Sequence, residues 1–369
     1  MTSKKLGAGV IRTDRFLMDG RTIRYYDTQG QNRAAEDKRD PETQPEIGEM
    51  RLDVLTNEWV VVAAHRQGRV FLPPKELNPL APSKPGSLTE IPESDYEVVV
   101  FDNRSPALRE PKSSIDIPSE LTFETPPIPA AGKCEVVCFT SNYDHSFKDL
   151  TDRQIRTVLE AWRDRVDELS KIKYIEHVAP FENRGEEVGV TLAHPHGQIY
   201  AYPYLPPRTE KMLAVAAAHK SRTGRILQDD VIARELEDGT RIVAENEEWL
   251  AYVPYAARYP FEIHVSPKKS VANLVELSEA ACEKFAPIAR EVLKRLDAVF
   301  EMKMAYIAAW HQAPVRKGND LLKLNWQITS VRRAPGKLKY LAGSESAYGS
   351  FMMDLSPEQS AQLLRDAKI

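Results

Sequence analysis

The sequence predicts an α+β protein, a mostly antiparallel sheet with flanking helices. Three observations predict it. Short runs rich in β-branched and aromatic residues recur along the chain, punctuated by turn pairs such as Asp19-Gly20, Thr56-Asn57 and Asp238-Gly239. Between them lie a few long amphipathic stretches opened by capping residues, at Thr151, Ser278 and Ser356. The second half also echoes the first. Tyr174-Ile175 leads through Asn183-Arg184-Gly185 to His194-Pro195-His196-Gly197-Gln198-Ile199. Tyr306-Ile307 leads through Arg316-Lys317-Gly318 to Lys323-Leu324-Asn325-Trp326-Gln327-Ile328.

Taken in order, Phe16-Leu17-Met18 and Thr22-Ile23-Arg24-Tyr25-Tyr26 flank Asp19-Gly20 and predict a hairpin. The polar stretch from Gln31 to Glu46 reads as a linker or mobile arm, so residues 1–46 are read as an N-terminal hairpin and polar arm ahead of the main body. Strands are predicted over Met50–Leu55, Glu58–Ala63, Tyr96–Phe101, Glu135–Thr140 and Tyr174–Phe181, and Pro73–Pro92 reads as loop. Thr151 and Gln154 form a capping box ahead of an apolar stripe of Ile155, Val158, Leu159, Trp162, Val166 and Leu169, which is core spacing. Residues 47–207 make the first half.

In the second half, 208–369, helices are predicted over Arg208–Lys220 and Val231–Glu237, and strands over Arg241–Ala244, Trp249–Val253 and Phe261–Val265. Within the third of these strands His264 reads as a hydrogen-bonded strand histidine. Ser278 caps a helix expected through Phe300, kinked or restarted at Pro287. Ser356-Pro357-Glu358-Gln359 opens a last helix buried through Leu363 and Leu364.

Composition excludes several classes. The 369 residues are 42% hydrophobic and 28% charged, ordinary for a globular chain of one or two domains. A formal charge of -4 gives no reason to expect nucleic acid or an anionic membrane as partner. No apolar run is long enough to span a bilayer, and Met1-Thr2-Ser3-Lys4-Lys5 has no apolar segment after it. Three cysteines make no disulfide framework, so a reducing, cytoplasmic location is expected.

The chemistry concentrates at Ala193-His194-Pro195-His196-Gly197-Gln198-Ile199-Tyr200. Apolar flanks, Val188–Leu192 before and Ile199–Tyr202 after, read as one strand, whose alternation would send His194, His196 and Gln198 to one face. Pro195 restricts that strand to an edge or an end, and Gly197 allows a close approach to the backbone. A neutral imidazole is a competent nucleophile near neutral pH. A glutamine amide can bond a phosphoryl oxygen but cannot shuttle a proton.

His194-Pro195-His196-Gly197-Gln198 resembles the active-site motif of galactose-1-phosphate uridylyltransferases, in the histidine-triad superfamily. The resemblance runs from about residue 47 onward and implies two histidine-triad-like halves in one chain. It implies that His196 attacks the α-phosphorus of a UDP-sugar, forms a uridylyl-histidine, and passes UMP to a second hexose 1-phosphate, galactose 1-phosphate foremost. Gln198 stands where hydrolytic members carry a third histidine, which favours transfer. The resemblance further implies substrate contacts by Arg66, Arg69, Asn103, Asn183, Thr191 and His194. Lys339 and Glu345, in Lys339-Tyr340-Leu341-Ala342-Gly343-Ser344-Glu345, would reach the hexose across a homodimer. Aligned on the glutamines, Asn325 stands where His196 does, so the second half is expected to do no transfer.

Many members bind a structural zinc through two cysteines and two histidines. Here the cysteine positions are Asn78 and Ala81, leaving His145 and His194, which is too few for a closed tetrahedral site. Of a second metal set, one glutamate and three histidines, His311 is retained while Thr329 and Val331 replace the others. No metal and no cofactor are expected. The alternatives are a related sugar-nucleotide phosphorylase or adenylyltransferase, or a non-catalytic nucleotide-binding protein.

Overall fold

The Asp19-Gly20 hairpin forms as its turn chemistry demands. Gly20 takes φ +83°, and Leu17 and Arg21 close the loop through a backbone bond of 2.8 Å. The computed structural model describes residues 2–40, 45–68, 73–111, 115, 117–118 and 121–369. The first half comprises β1 (Thr2–Lys5), β2 (Ile11–Phe16), β3 (Thr22–Asp27), β4 (Glu49–Asp53), β5 (Glu58–Val62), β6 (Val98–Asp102), β7 (Ile128–Pro129), β8 (Lys133–Cys138), α1 (Asp152–Ser170), β9 (His177–Arg184) and β10 (His196–Tyr202). The second half has α2 (Pro207–Thr223), α3 (Leu227–Asp238), β11 (Ile242–Glu245), β12 (Trp249–Tyr252), β13 (Phe261–Pro267), α4 (Glu279–Ala298), β14 (Tyr306–His311), β15 (Asn325–Ser330), β16 (Arg332–Ala334), β17 (Lys337–Leu338), α5 (Gly343–Tyr348) and α6 (Pro357–Asp366).

Among the described residues, twelve strands join in one antiparallel sheet, ordered β1-β2-β3-β6-β8-β10-β9-β14-β15-β13-β12-β11. β5-β4-β7 form a small separate sheet. The N-terminal hairpin does not stand apart from the main sheet, because β3 pairs with β6 from Ile23–Phe101 to Tyr26–Val98. The polar stretch after it is also tied down. Arg33 is buried, bonded through Nε to Asp27 at 3.0 Å and through Nη1 to the Asp95 carbonyl at 2.6 Å. Arg39 bridges Asp37 and Glu90. Charge-assisted bonds of this kind hold a segment that has no apolar face.

α1 and α4 pack on each other along one face of the sheet. Their apolar stripes meet Val98, Val100, Val137, Ile199 and Ala201 from the first half and Phe261, Ile263, Trp326 and Ile328 from the second. Aromatic rings cross the seam. Phe147 stacks on Trp162 at 5.8 Å, Trp162 meets Trp310 edge-on at 6.0 Å, and Trp310 stacks on Trp326 at 6.0 Å. The halves therefore share one core. Both capping boxes form, at Thr151 with Gln154 and at Ser356 with Gln359. The α4 helix runs through Pro287 without a break, whereas the sequence suggested a kink or restart there. Leu364 is buried, but Leu363 faces solvent, because on α6 the two residues point about 100° apart. No helix among the described residues is long and apolar enough to cross a membrane.

Candidate active site

The β10 strand lies inside the sheet, between β8 and β9. Its alternation puts Gly197, Ile199 and Ala201 under the helices and leaves His196, Gln198, Tyr200 and Tyr202 half-buried on the opposite face. Gly197 is required there: a Cβ would lie 2.6 Å from the Phe181 carbonyl and 2.8 Å from the Phe139 ring. The strand begins at His196, directly after Pro195, so it is shorter than the sequence predicted. Glu186–Val188 is a 3-10 turn and Gly189 is left-handed at φ +79°. His194 consequently precedes the strand and does not share the face of His196 and Gln198.

Nδ1 of His196 lies 2.7 Å from the His194 carbonyl oxygen. A carbonyl only accepts, so Nδ1 carries the hydrogen and Nε2 holds the lone pair. Burial lowers the His196 pKa, opposed by that backbone bond, and keeps the ring neutral at pH 7. His196 lines two cavities. One, about 620 Å³, is bounded by Tyr143, His145, Glu182, Asn183 and Lys303. The other, about 220 Å³, has an apolar wall of Leu80, Phe101, Val136 and Leu192, with Asn103, Thr191 and Gln198 on its polar side.

Of the residues named from sequence, Asn103, Thr191, His196 and Gln198 thus come together, and Asn183 lines the larger cavity. The Asn103 amide approaches Gln198 Oε1 at 3.4 Å. Arg66, in the 3-10 turn Ala64–Gly68, donates to the Tyr200 hydroxyl at 3.3 Å, on the same face of β10. Arg69 lies outside the described residues. Glu182, Asn183 and Arg184 continue β9 instead of forming a loop, because they pair with β14. Arg184 is consumed by Asp297 and the Met304 carbonyl. Lys339 and Glu345 line neither cavity; Lys339 Nζ meets Glu345 Oε1 at 2.8 Å, which pulls the Glu345 carboxyl down to about 2.

His194 borders the larger cavity but turns its ring into the protein, where it bonds locally. Its ring is 1% exposed with both nitrogens engaged: Nδ1 with Asn78 Nδ2 at 2.9 Å, Nε2 with Tyr96 Oη and the Thr140 carbonyl, each at 2.8 Å. The same contacts test the zinc set implied by resemblance. Asn78 turns its amide nitrogen, a donor, toward the imidazole lone pair that a metal would need, and Ala81 offers no donor atom. Among the described residues no group of three or more His, Cys, Asp or Glu is placed to hold a metal ion. At the second set, burial and then the nearby Arg208 cation hold the His311 pKa well below its ordinary value, and a guanidinium is the wrong neighbour for a metal. The residues present fit neither metal.

Sequence reasoning missed the apolar wall and Glu182. Alternation in β6 could have found Phe101, which shares a face with the position of Asn103. Glu182 is buried, accepts from the Tyr306 hydroxyl at 2.9 Å, and is pushed up to about 7 by burial, against the pull of Arg184. No local pattern marks it, since Tyr306 is 124 residues away.

Residues 37–206 match the galactose-1-phosphate uridyl transferase N-terminal domain family, and residues 213–368 match the corresponding C-terminal domain family. The chain is 41% identical to a galactose-1-phosphate uridylyltransferase of Streptomyces lividans, across 96% of this chain and 97% of that relative. It is 33% identical to one of Thermotoga maritima, across 87% and 99%. A solved uridylyltransferase structure superposes with a TM-score of 0.75 at 30% identity, covering 86% of this chain and 98% of that one.

Proposed function

This chain belongs to the galactose-1-phosphate uridylyltransferase family, and from that premise we propose how its residues move UMP from a UDP-hexose to a hexose 1-phosphate. The Nε2 lone pair of His196 attacks the α-phosphorus of the UDP-hexose. The bond from that phosphorus to the bridging oxygen breaks, and hexose 1-phosphate leaves with the electron pair. The uridylylated imidazole, now cationic, keeps its Nδ1–H on the His194 carbonyl. An oxygen of the incoming hexose 1-phosphate then attacks phosphorus, and His196 returns to its neutral form. Two similar displacements replace one direct transfer between anions.

The observation that carries this reading is the fixed tautomer of His196 between two cavities. The smaller, apolar-walled cavity suits the nucleoside, with Asn103 at its edge. Gln198 and Thr191 would bond phosphoryl oxygens, and Arg66 would balance their charge. The larger cavity, with Asn183 and Lys303, would take the hexose phosphate. Lys339 and Glu345 would serve a neighbouring copy in a homodimer. Galactose 1-phosphate is the acceptor named by the relatives. Brief incubation with UDP-glucose should leave a uridylyl adduct on His196 by intact-mass and peptide mapping, and ADP-glucose should leave far less. Absence of any adduct with either donor would sink the covalent route.

A further inference from the structure

We infer that Asn78 and Tyr96 are positioning residues for His196, acting through the ring and carbonyl of His194. The inference rests on the reading of His196 as nucleophile and concerns what aims it. The Thr140 carbonyl can only accept, so His194 Nε2 must carry its hydrogen. Nδ1 is then a bare lone pair, and Asn78 Nδ2 donates to it at 2.9 Å. Asn78 cannot flip its amide without loss, because its Oδ1 accepts from the Leu80 N–H at 3.0 Å. Tyr96 donates to the Leu80 carbonyl at 3.0 Å and turns its lone pair toward His194 Nε2 at 2.8 Å. Every contact names the same tautomer and the same ring orientation.

The held ring fixes the peptide that follows it. Pro195 narrows the backbone freedom of His194, and the Pro195 carbonyl accepts from the Phe139 N–H at 3.2 Å. With ring and next peptide both fastened, the His194 carbonyl has one direction, and it meets His196 Nδ1 at 2.7 Å. The four polar partners of this array lie at 1 to 4% exposure for His194, Tyr96, Thr140 and Asn78, so water does not compete for them. The chain holds this imidazole with an amide and a phenol.

The test combines histidine ¹⁵N NMR with kinetics on the full-length protein, for Asn78→Leu and Tyr96→Phe. In the unmodified protein His194 should appear as the Nε2–H tautomer and His196 as Nδ1–H. Either variant should leave His196 in mixed tautomers and lower kcat about tenfold, with KM for UDP-glucose held within about threefold. Tyr96→Phe removes a single hydroxyl and stands as the measurement should Asn78→Leu fail to fold. An unchanged His196 tautomer, or a loss confined to KM or to melting temperature, overturns the inference. A missing His196 adduct in the unmodified protein defeats the covalent reading instead, while the tautomer measurement still judges the clamp.

Discussion

Strands β10 and β15 are counterparts across an approximate twofold axis, and they differ in whether their polar side chains are already satisfied. The axis passes where Phe181 of β9 faces Ala309 of β14. Phe181 also faces Gln198, and Ala309 faces Gln327. On the far sides, Gln198 faces Val136 of β8 and Gln327 faces His264 of β13. Asn325 thus holds the place of His196. In the first half, Gln198 borders a cavity and its amide oxygen accepts only a long bond, 3.4 Å, from Asn103. In the second half, Gln327 is 4% exposed, donates to Asn325 Oδ1 at 2.8 Å and accepts from Arg208 at 2.9 Å. One scaffold therefore gives an open site where valine walls the strand and a closed network where an arginine and a histidine fill the space. A buried polar group with its bonds made has nothing left to offer a ligand.

Substitutions can break or sharpen that contrast. The largest effect is expected at the open end: His196→Ala should lower UMP transfer by at least about three orders of magnitude. Asn325→His should add no second adduct, because Gln327 and Arg208 occupy the room a nucleotide would need; two adducts per chain by mass spectrometry would erase the distinction. Next comes the shared core. Trp310→Ala should cost about 3–5 kcal/mol, and calorimetry should still show one transition, since Trp310 packs on Trp162 of the other half. Two separate transitions would mean that the halves are energetically independent.

A third expectation concerns pH. Burial pushes both His177 and His194 down to about 4 from 6.5. Unfolded histidines take up protons below 6.5, whereas these folded ones do not until near 4. Their contribution is complete above pH 6.5 and is lost as pH falls toward 4, by up to about 3 kcal/mol each. Glu182 runs the other way: its folded pKa near 7 binds a proton that the unfolded chain releases above 4.5, so it weakens the fold as pH rises from 4.5 to 7 and offsets one of the two histidines there. Denaturant melts from pH 4 to 7 should show a net acid limb, equivalent to about one histidine, that His194→Gln flattens. A limb unchanged by that variant would remove His194 from the account. The smallest effect separates the two glutamines. Gln198→Ala should lower kcat about tenfold with little change in stability, whereas Gln327→Ala should cost about 1–3 kcal/mol by leaving Arg208 short of a partner, with kcat unchanged.

Features set by neighbouring residues were legible before the structure. The hairpin at Gly20, the capping boxes at Thr151 and Ser356 and the stripe on α1 follow from side chains three or four positions apart, and the chain reproduces them. Alternation also placed His196 and Gln198 on one face, because a strand has a fixed period of two. Period alone does not say where a strand starts. Tertiary pairing decided that β10 opens at His196 and that β9 extends through Arg184. It decided that His194 turns inward to Asn78, 116 residues away, and to Tyr96, 98 residues away. It also decided which copy of the site stays open, since Arg208 reaches Gln327 across 119 residues. Sequence determined the chemical groups and their local geometry. Long-range burial chose among them, because a hydrogen bond excluded from water takes whichever partner the packed chain brings within reach.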